Sequence, residues 1–254
     1  MTVADEDPKS KAAKSDSGGV WETIKIVIQA LILALLVRTF LFQPFSIPSG
    51  SMEDTLLVGD FLFVSKYSYG YSRHSFPFSP DFIEGRIWGA EPERGDIVVF
   101  KLPRDNATDY IKRVIGLPGD RIQMNNGVLS INGAPVEMEL LGTEAGGPRG
   151  TISRYRETLP NGVSHEILDS MNSSADNTGV FVVPEGHYFM MGDNRDNSLD
   201  SRVASDRGGV GFVPFENLIG RAEIIFFSVG EDARAWEFWR WPWTVRGDRL
   251  FRTL

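Results

Sequence analysis

Hydrophobic and polar residues divide the chain into three zones. Residues 1–19 are polar and small, with Asp5, Glu6, Asp7 and Asp16 set against Lys9, Lys11 and Lys14. No apolar period runs through them, so they have nothing to bury and read as a disordered tail. Ile26–Val37 follows, twelve residues without a charge between Lys25 and Arg38. Twelve helical residues cover only about 18 Å, short of a bilayer core of roughly 30 Å. Trp21–Phe42, with Lys25 and Arg38 reaching toward the headgroups, has 22 residues. That length gives about 33 Å of helix. The pattern predicts a tail over 1–20 and a transmembrane helix over 21–43; a buried core helix is the plainer alternative. A cleaved leader fits less well, because no small-x-small site follows and the polar stretch ahead is long for one. Lys9, Lys11, Lys14 and Lys25 favour a cytoplasmic N-terminus, and Arg38 pulls the other way. No second run of spanning length follows, so residues 44–254 are expected on one face, the external one.

Beyond Pro44 the pattern changes to short runs of β-branched and aromatic residues, punctuated by Gly, Pro and Asn. Strands are predicted at Asp60–Lys66, Asp96–Lys101, Tyr110–Leu117, Arg121–Met124, Val128–Ile131, Val180–Val183, His187–Met191 and Ala222–Val229. Asn125-Asn-Gly127 and Asn132-Gly133 read as turns. Short spacing without a long helical period predicts a mainly β fold, an antiparallel sandwich or barrel. Two stretches, 68–92 and 141–177, read as loops or insertions.

Composition adds three constraints. The 26 Gly and 14 Pro residues among 254 fit a turn-rich β fold. A net charge of −8 argues against a nucleic-acid partner, which needs a basic face. With no Cys there is no disulfide, thiolate metal site or cysteine nucleophile. The three His residues, His74, His165 and His187, stand in no metal spacing and read as ordinary surface or packed residues. No P-loop and no H-E-x-x-H motif occurs. No cofactor or metal is expected, and a hydrolase built from this chain would need an unusual nucleophile and base.

Three segments carry candidate chemistry. In Pro48-Ser-Gly-Ser51 two hydroxyls flank a glycine. Such a stretch can bring backbone N–H groups close to a substrate, and it is equally a common turn. In the strand predicted from Tyr110, alternation puts Tyr110, Lys112 and Val114 on one face and Ile111, Arg113 and Ile115 on the other. Arg keeps its proton, whereas a desolvated Lys can lose it. Moving a lysine from about 10.4 to about 8 takes roughly 3 kcal/mol, which an apolar wall can supply. A snorkelling edge-strand lysine is the other reading. Met191–Arg202 is crowded with Asp, Asn, Arg and Gly. It does not match the twelve-residue calcium loop, and reads either as a solvated turn or as a hydrogen-bonded buttress.

Taken together and in order behind an apolar anchor, these segments resemble bacterial type I signal peptidase (leader peptidase). The resemblance runs through PSGSMEDTLLVGDFLFVSK (48–66), RGDIVVFK (94–101), DYIKRVIGLPGD (109–120), GDNRDNSLDSR (192–202) and GFVPFENLIGRA (211–222). It implies a Ser/Lys-dyad protease on an antiparallel, barrel-like β domain. Ser51 would be the nucleophile and Lys112 the general base. The Ser51 N–H and Ser49 hydroxyl would form the oxyanion hole. Ser198 would orient Lys112, and Asp200 and Arg202 would brace the region as an ion pair. Asp193, Asn194, Arg195, Asp196 and Asn197 would support it. The implied substrates are exported preproteins with small residues, usually Ala, at the first and third positions before the cut. The implied place is the bacterial inner membrane, with the protease domain extracytoplasmic and the lipid bilayer as a partner. A non-catalytic anchored β domain that binds apolar peptides is the alternative. Independently, Trp236, Phe238, Trp239, Trp241 and Trp243 are interleaved with Arg234, Arg240 and Arg246, a composition suited to a membrane interface. Phe76, Phe78 and Phe82 would extend such a surface. Packing of these Trp on the β domain is the alternative.

Overall fold

The computed structural model describes residues 17–77, 79–80, 83–145, 150–170, 173, 175–230 and 236–254. The expected disordered tail therefore lies, up to residue 16, outside the described residues. From Ser17 the chain is already helical, and α1 runs Ser17–Phe40. It starts ahead of the apolar run because adding residues to an existing helix costs little compared with nucleating one. Its side chains from Val20 to Arg38 are all exposed. An apolar helix with no buried face is what a bilayer accommodates, and Gly19–Phe40 is long and apolar enough to cross one.

The chain enters β1 (Phe42–Ser46) directly, makes a 3-10 turn at Gly50–Met52, and returns as β2 (Asp60–Ser65). The short pair β3 (Tyr71–Ser72) and β4 (Arg86–Ile87) precedes the hairpin β5 (Ile97–Lys101) and β6 (Asp109–Gly116). Next come β7 (Arg121–Asn125), β8 (Val128–Ile131) and β9 (Ala134–Pro135), then β10 (Glu137–Ala145), β11 (Thr151–Thr158) and β12 (Ser164–Asp169). The last strands are β13 (Phe181–Val182), β14 (His187–Met191), β15 (Val213–Pro214), β16 (Leu218–Ser228) and β17 (Arg252–Thr253). The fold is mainly β and antiparallel.

Eight strands form the main sheet, in the order β1-β2-β16-β5-β6-β14-β15, with β17 also on β16. β5 pairs with β16 only as far as Arg221, and β17 takes up the same strand at Ile224 and Ile225. Separate sheets are made by β13-β7-β8-β9 and by β10-β11-β12. Alternation along the strands sorts side chains into cores. Ile97, Val99 and Ile111 join Ile47, Met52 and Leu62, whereas Val98, Phe100, Tyr110 and Val114 join Tyr188 and Met190. A third core, around Ile122, Leu129 and Phe189, sits under the β7–β8 hairpin.

Two expected loops need correction. Residues 68–92 contain the β3–β4 pair, and 141–177 contains most of a three-stranded sheet. In Thr151–Thr158 charged residues share both faces with Ile and Tyr, so the alternation that marks a half-buried strand is blurred. β1 also went unpredicted, its FQPFS sequence merging with the apolar run before it.

The C-terminal stretch is fastened by Asp60 on β2, whose carboxylate is fully buried. It accepts hydrogen bonds from Arg249 Nε (3.1 Å) and Nη2 (2.6 Å), Ser228 Oγ (2.7 Å) and Leu57 N (2.8 Å). Replacing Asp60 by Ala strands the buried Arg249 charge, at about 3–5 kcal/mol. Thermal unfolding followed by circular dichroism is expected to show a melting temperature lower by roughly 10 °C; an unchanged midpoint would contradict this account of the fastening.

Candidate active site

Pro48 has no N–H to give a strand, and the chain leaves β1 there. Ser49 is extended (φ −139°, ψ 150°), exposed, and makes no capping bond to the turn that follows. Met52 is fully buried in the first core and anchors that turn. The turn is closed by Glu53 N donating to Gly50 O (3.2 Å) and Leu56 N to Met52 O (2.8 Å). Gly50 leaves room for Glu53, whose carboxylate lies within 2.8 Å of where a Cβ would stand. Ser51 is thus held between an exposed extended residue and a buried anchor, on the first turn of a helix, where N–H groups lack intrahelical acceptors.

Lys112 comes from β6, on the face shared with Tyr110 and Val114, as the alternation predicts. Its Nζ donates to Ser51 Oγ (2.6 Å) and to Ile111 O (2.9 Å), and lies 5.6 Å from the centre of the Tyr110 ring. The residue is 3% exposed. Burial pushes the Lys112 amine down to about 8, against the Asp200 and Asp193 carboxylates, which favour the ammonium. Near pH 7 about one amine in ten is then neutral, against about one in 2,500 for a lysine at 10.4. A neutral amine within hydrogen-bonding distance of a hydroxyl is a base placed to activate a nucleophile.

The 192–202 loop surrounds this pair with fixed charge. Arg113, on the opposite face of β6, grips Asp193 through Nε (2.9 Å) and Nη2 (2.7 Å). Arg202 grips Asp200 through Nε (2.9 Å) and Nη2 (2.9 Å). Burial works to raise both carboxyls, and the paired guanidinium outweighs it, so each stays below the usual carboxylate range. Asn194 holds the serine turn: its N–H donates to Ser51 O (3.2 Å), and its Nδ2 to Gly50 O (3.0 Å) and Glu53 Oε2 (2.9 Å). Gly192 is required by close approach, since a Cβ there would stand 2.2 Å from Ser198 Oγ and 2.4 Å from Ser51 O.

Ser198 departs from its expected contact. Its Oγ is buried beside Gly192 and makes no hydrogen bond to Lys112. The Ile111 carbonyl orients the amine instead, and the Ser198 hydroxyl helps keep Asp200 charged. Sequence reasoning gave no role to Glu53, Gly192 or the Ile111 carbonyl. Among the described residues no group of three or more His, Asp or Glu side chains is placed to hold a metal.

Comparison with known proteins bears on these residues as a set. The family described as signal peptidase, peptidase S26, matches residues 20–227. The signal peptidase I of Rickettsia typhi is 44% identical over 243 residues, covering 88% of this chain and 90% of its own length. That of Rickettsia canadensis is 43% identical over 253 residues, covering 92% of each. The chain belongs to the signal peptidase family. A crystal structure of a signal peptidase I from Enterococcus faecalis V583 is 29% identical, with a TM-score of 0.30, covering 52% of this chain and 97% of that one.

In this signal peptidase-family chain, the residues past 227 still bear on the site: Arg249 Nη2 donates to Thr55 O (2.9 Å), four residues beyond Ser51. A polar cleft of about 800 Å³ is walled by Asp54, Thr55, Arg113, Arg154 and His165 among others, and neither Ser51 nor Lys112 lines it.

The neutral amine is the form able to accept a proton, and it is lost as pH falls through the Lys112 pKa. Peptidase activity is expected to rise with pH to a plateau, half-maximal near pH 8. A kcat/KM profile on a peptide substrate between about pH 6 and 10 checks this; a limb near the ordinary lysine value would contradict it.

Proposed function

We propose that this chain is a membrane-anchored serine endopeptidase that removes N-terminal signal peptides from exported preproteins. The observation that carries the reading is the 2.6 Å contact between the buried Lys112 amine and Ser51 Oγ. Neutral Lys112 takes the Ser51 proton as Oγ bonds to the scissile carbonyl carbon. The oxyanion is met by the Ser51 N–H and, after rotation of its exposed side chain, the Ser49 hydroxyl. The Lys112 ammonium returns the proton to the leaving amine, and the C–N bond breaks to give an acyl-enzyme. Water, deprotonated by Lys112, then attacks the ester and frees Ser51.

Two open strand edges support binding of an extended substrate. β1 is the outermost strand of its sheet, and β14 pairs with β6 only from Arg113 onward. Asp109–Lys112 therefore has β5 on one side and, among the described residues, no strand partner on the other. A peptide strand can add to such edges by main-chain hydrogen bonds. Phe45, Ile47, Met52 and Ile111 share one apolar cluster next to the serine turn; such walls favour small apolar side chains before the cut.

The 22-residue apolar helix supports anchoring in the bacterial inner membrane, with the N-terminus cytoplasmic and the protease domain outside. Trp236, Phe238, Trp239 and Trp243 are well exposed, and Trp241 packs on Phe227 at 4.8 Å. Arg246 leaves the expected basic fringe, since it turns inward to Ser228 Oγ (2.8 Å) and Val58 O (2.7 Å). Phe76 is half-buried against Phe40; Phe78, Phe82 and Arg234 lie outside the described residues. The exposed aromatic group is read as a seat on the bilayer surface.

Purified full-length protein incubated with a preprotein carrying Ala-x-Ala at its signal junction is expected to give a single cut after the second Ala. Ser51→Ala and Lys112→Ala are expected to give none by mass spectrometry of the products. A variant that still cuts would remove its residue from the chemistry. Retained peptide binding without any cut would favour the non-catalytic alternative.

For the bilayer seat, full-length protein in proteoliposomes is expected to lose tryptophan fluorescence to brominated lipid. Combined Trp236→Phe, Trp239→Phe and Trp243→Phe substitution should remove most of that quenching. Equal quenching in wild type and variant, with iodide reaching the wild-type tryptophans, would rule the seat out.

A further inference from the structure

The β10–β12 sheet shows most of its residues to solvent, β10 being exposed at all but one position. Glu157 on β11 and His165 on β12 stand opposite each other in register, and both are buried. Glu157 is 0% exposed, the reverse of what a surface hairpin asks of a glutamate. Its Oε1 accepts from Arg195 Nη2 at 2.5 Å, and His165 Nε2 lies 3.3 Å from the same carboxylate and 3.9 Å from Asp193.

The hairpin also holds the 193–196 turn by its backbone. Leu168 N donates to Asp193 O (2.9 Å), Leu168 forms a parallel bridge with Asn194, and Ser170 N donates to the Asp196 carboxylate (2.8 Å). The next contacts inward are those of Asn194 with Ser51 O and Gly50 O. A connected path therefore runs from Glu157 through Arg195 and Asn194 to the serine turn.

We propose that Glu157 is a positioning residue for the peptidase reaction: by fixing Arg195 it sets the turn whose Asn194 holds Ser51. The inference rests on reading Ser51 as the nucleophile. It also gives a task to the β11–β12 hairpin. Buried ion pairs contribute little to net stability compared with apolar replacements, and the best-attested return on them is a fixed geometry. A nucleophile misplaced by about 1 Å can lose on the order of 100-fold in rate, so the pair's contribution falls on the chemical step.

The test is steady-state kinetics of full-length Glu157→Gln on the preprotein, with active sites titrated by a serine-directed acylating probe. Expected is a fall of about 10- to 100-fold in kcat per titrated site, KM within about threefold, and an unshifted pH midpoint. The double variant Glu157→Gln with Arg195→Met removes both charges, so no unpaired ion is left buried to unfold the protein. Its kcat should stay low while its melting temperature stays near that of wild type. Faster amide exchange at Asn194 in both variants is the accompanying structural signature. A kcat per site within twofold of wild type in the folded double variant would overturn the proposal, as would a change confined to KM. Exposed Arg156, paired with Glu139 on the same hairpin, supplies the control, since Arg156→Ala should leave kcat unchanged. Wild type failing to cut would instead defeat the reading of the site itself.

Discussion

The structure turns on keeping one lysine dry. An amine exposed to water at neutral pH is an ammonium and cannot take a proton from serine. Lys112 is moved toward neutrality by burial, yet two carboxylates, Asp193 and Asp200, lie close enough to pull it back. Each is already claimed by its own guanidinium, Arg113 and Arg202. Pairing leaves the amine facing two nearly neutral units instead of two bare anions. Remove either arginine and the carboxylate it holds would stabilise the ammonium. The buried ion pairs around the site thus act on the base through what they cancel.

Placement follows from the same need. Lys112, the proposed base, is on a strand held by β5 from Asp109 to Arg113 and by β14 from Arg113 to Gly116, so it has little freedom. Ser51, the proposed nucleophile, is on a short turn, which by itself would be loose. Its own neighbour Met52 and two distant parts of the chain remove that freedom. Met52 anchors the turn in the core, Asn194 holds two of its carbonyls, and Arg249 holds the Thr55 carbonyl while paired with Asp60. Strand edges supply the rigid frame, and side chain to backbone bonds attach the turn to it.

Much of this was legible in the sequence, for physical reasons that differ by region. Val128–Ile131 and His187–Met191 are legible with their observed limits because each is a short apolar run bounded by turn residues; His187–Met191 buries both faces, Tyr188 and Met190 in one core and Phe189 and Met191 in another. The side of β6 occupied by Lys112 followed from strand alternation. The β10–β12 sheet was not legible, because its strands carry charges on both faces and bury little beyond Glu157, His165 and Ile167. Local pattern carries no mark of a glutamate whose partner is 38 residues away. The Lys112 amine donates to the Ile111 carbonyl and makes no hydrogen bond to Ser198, since sequence order cannot say which of several acceptors an amine will choose.

On the proposed reading, the use of a lysine in place of a histidine as base has a structural consequence. An imidazole with an unperturbed pKa near 6.5 serves as a base while partly solvated, and it needs a partner mainly for orientation. A lysine must be dehydrated before it is useful, so its surroundings have to exclude water before substrate arrives. Lys112 already has that condition, at 3% exposure, and its two hydrogen bonds leave the amine little reason to swing outward. On that reading, substrate binding need not create the base. Ser49 is the exposed residue of the serine turn, whereas Ser51 itself is buried beside Lys112. On the proposed reading, a base buried on a strand and a nucleophile on a braced turn whose neighbour Ser49 is exposed keep the lysine dry before substrate arrives.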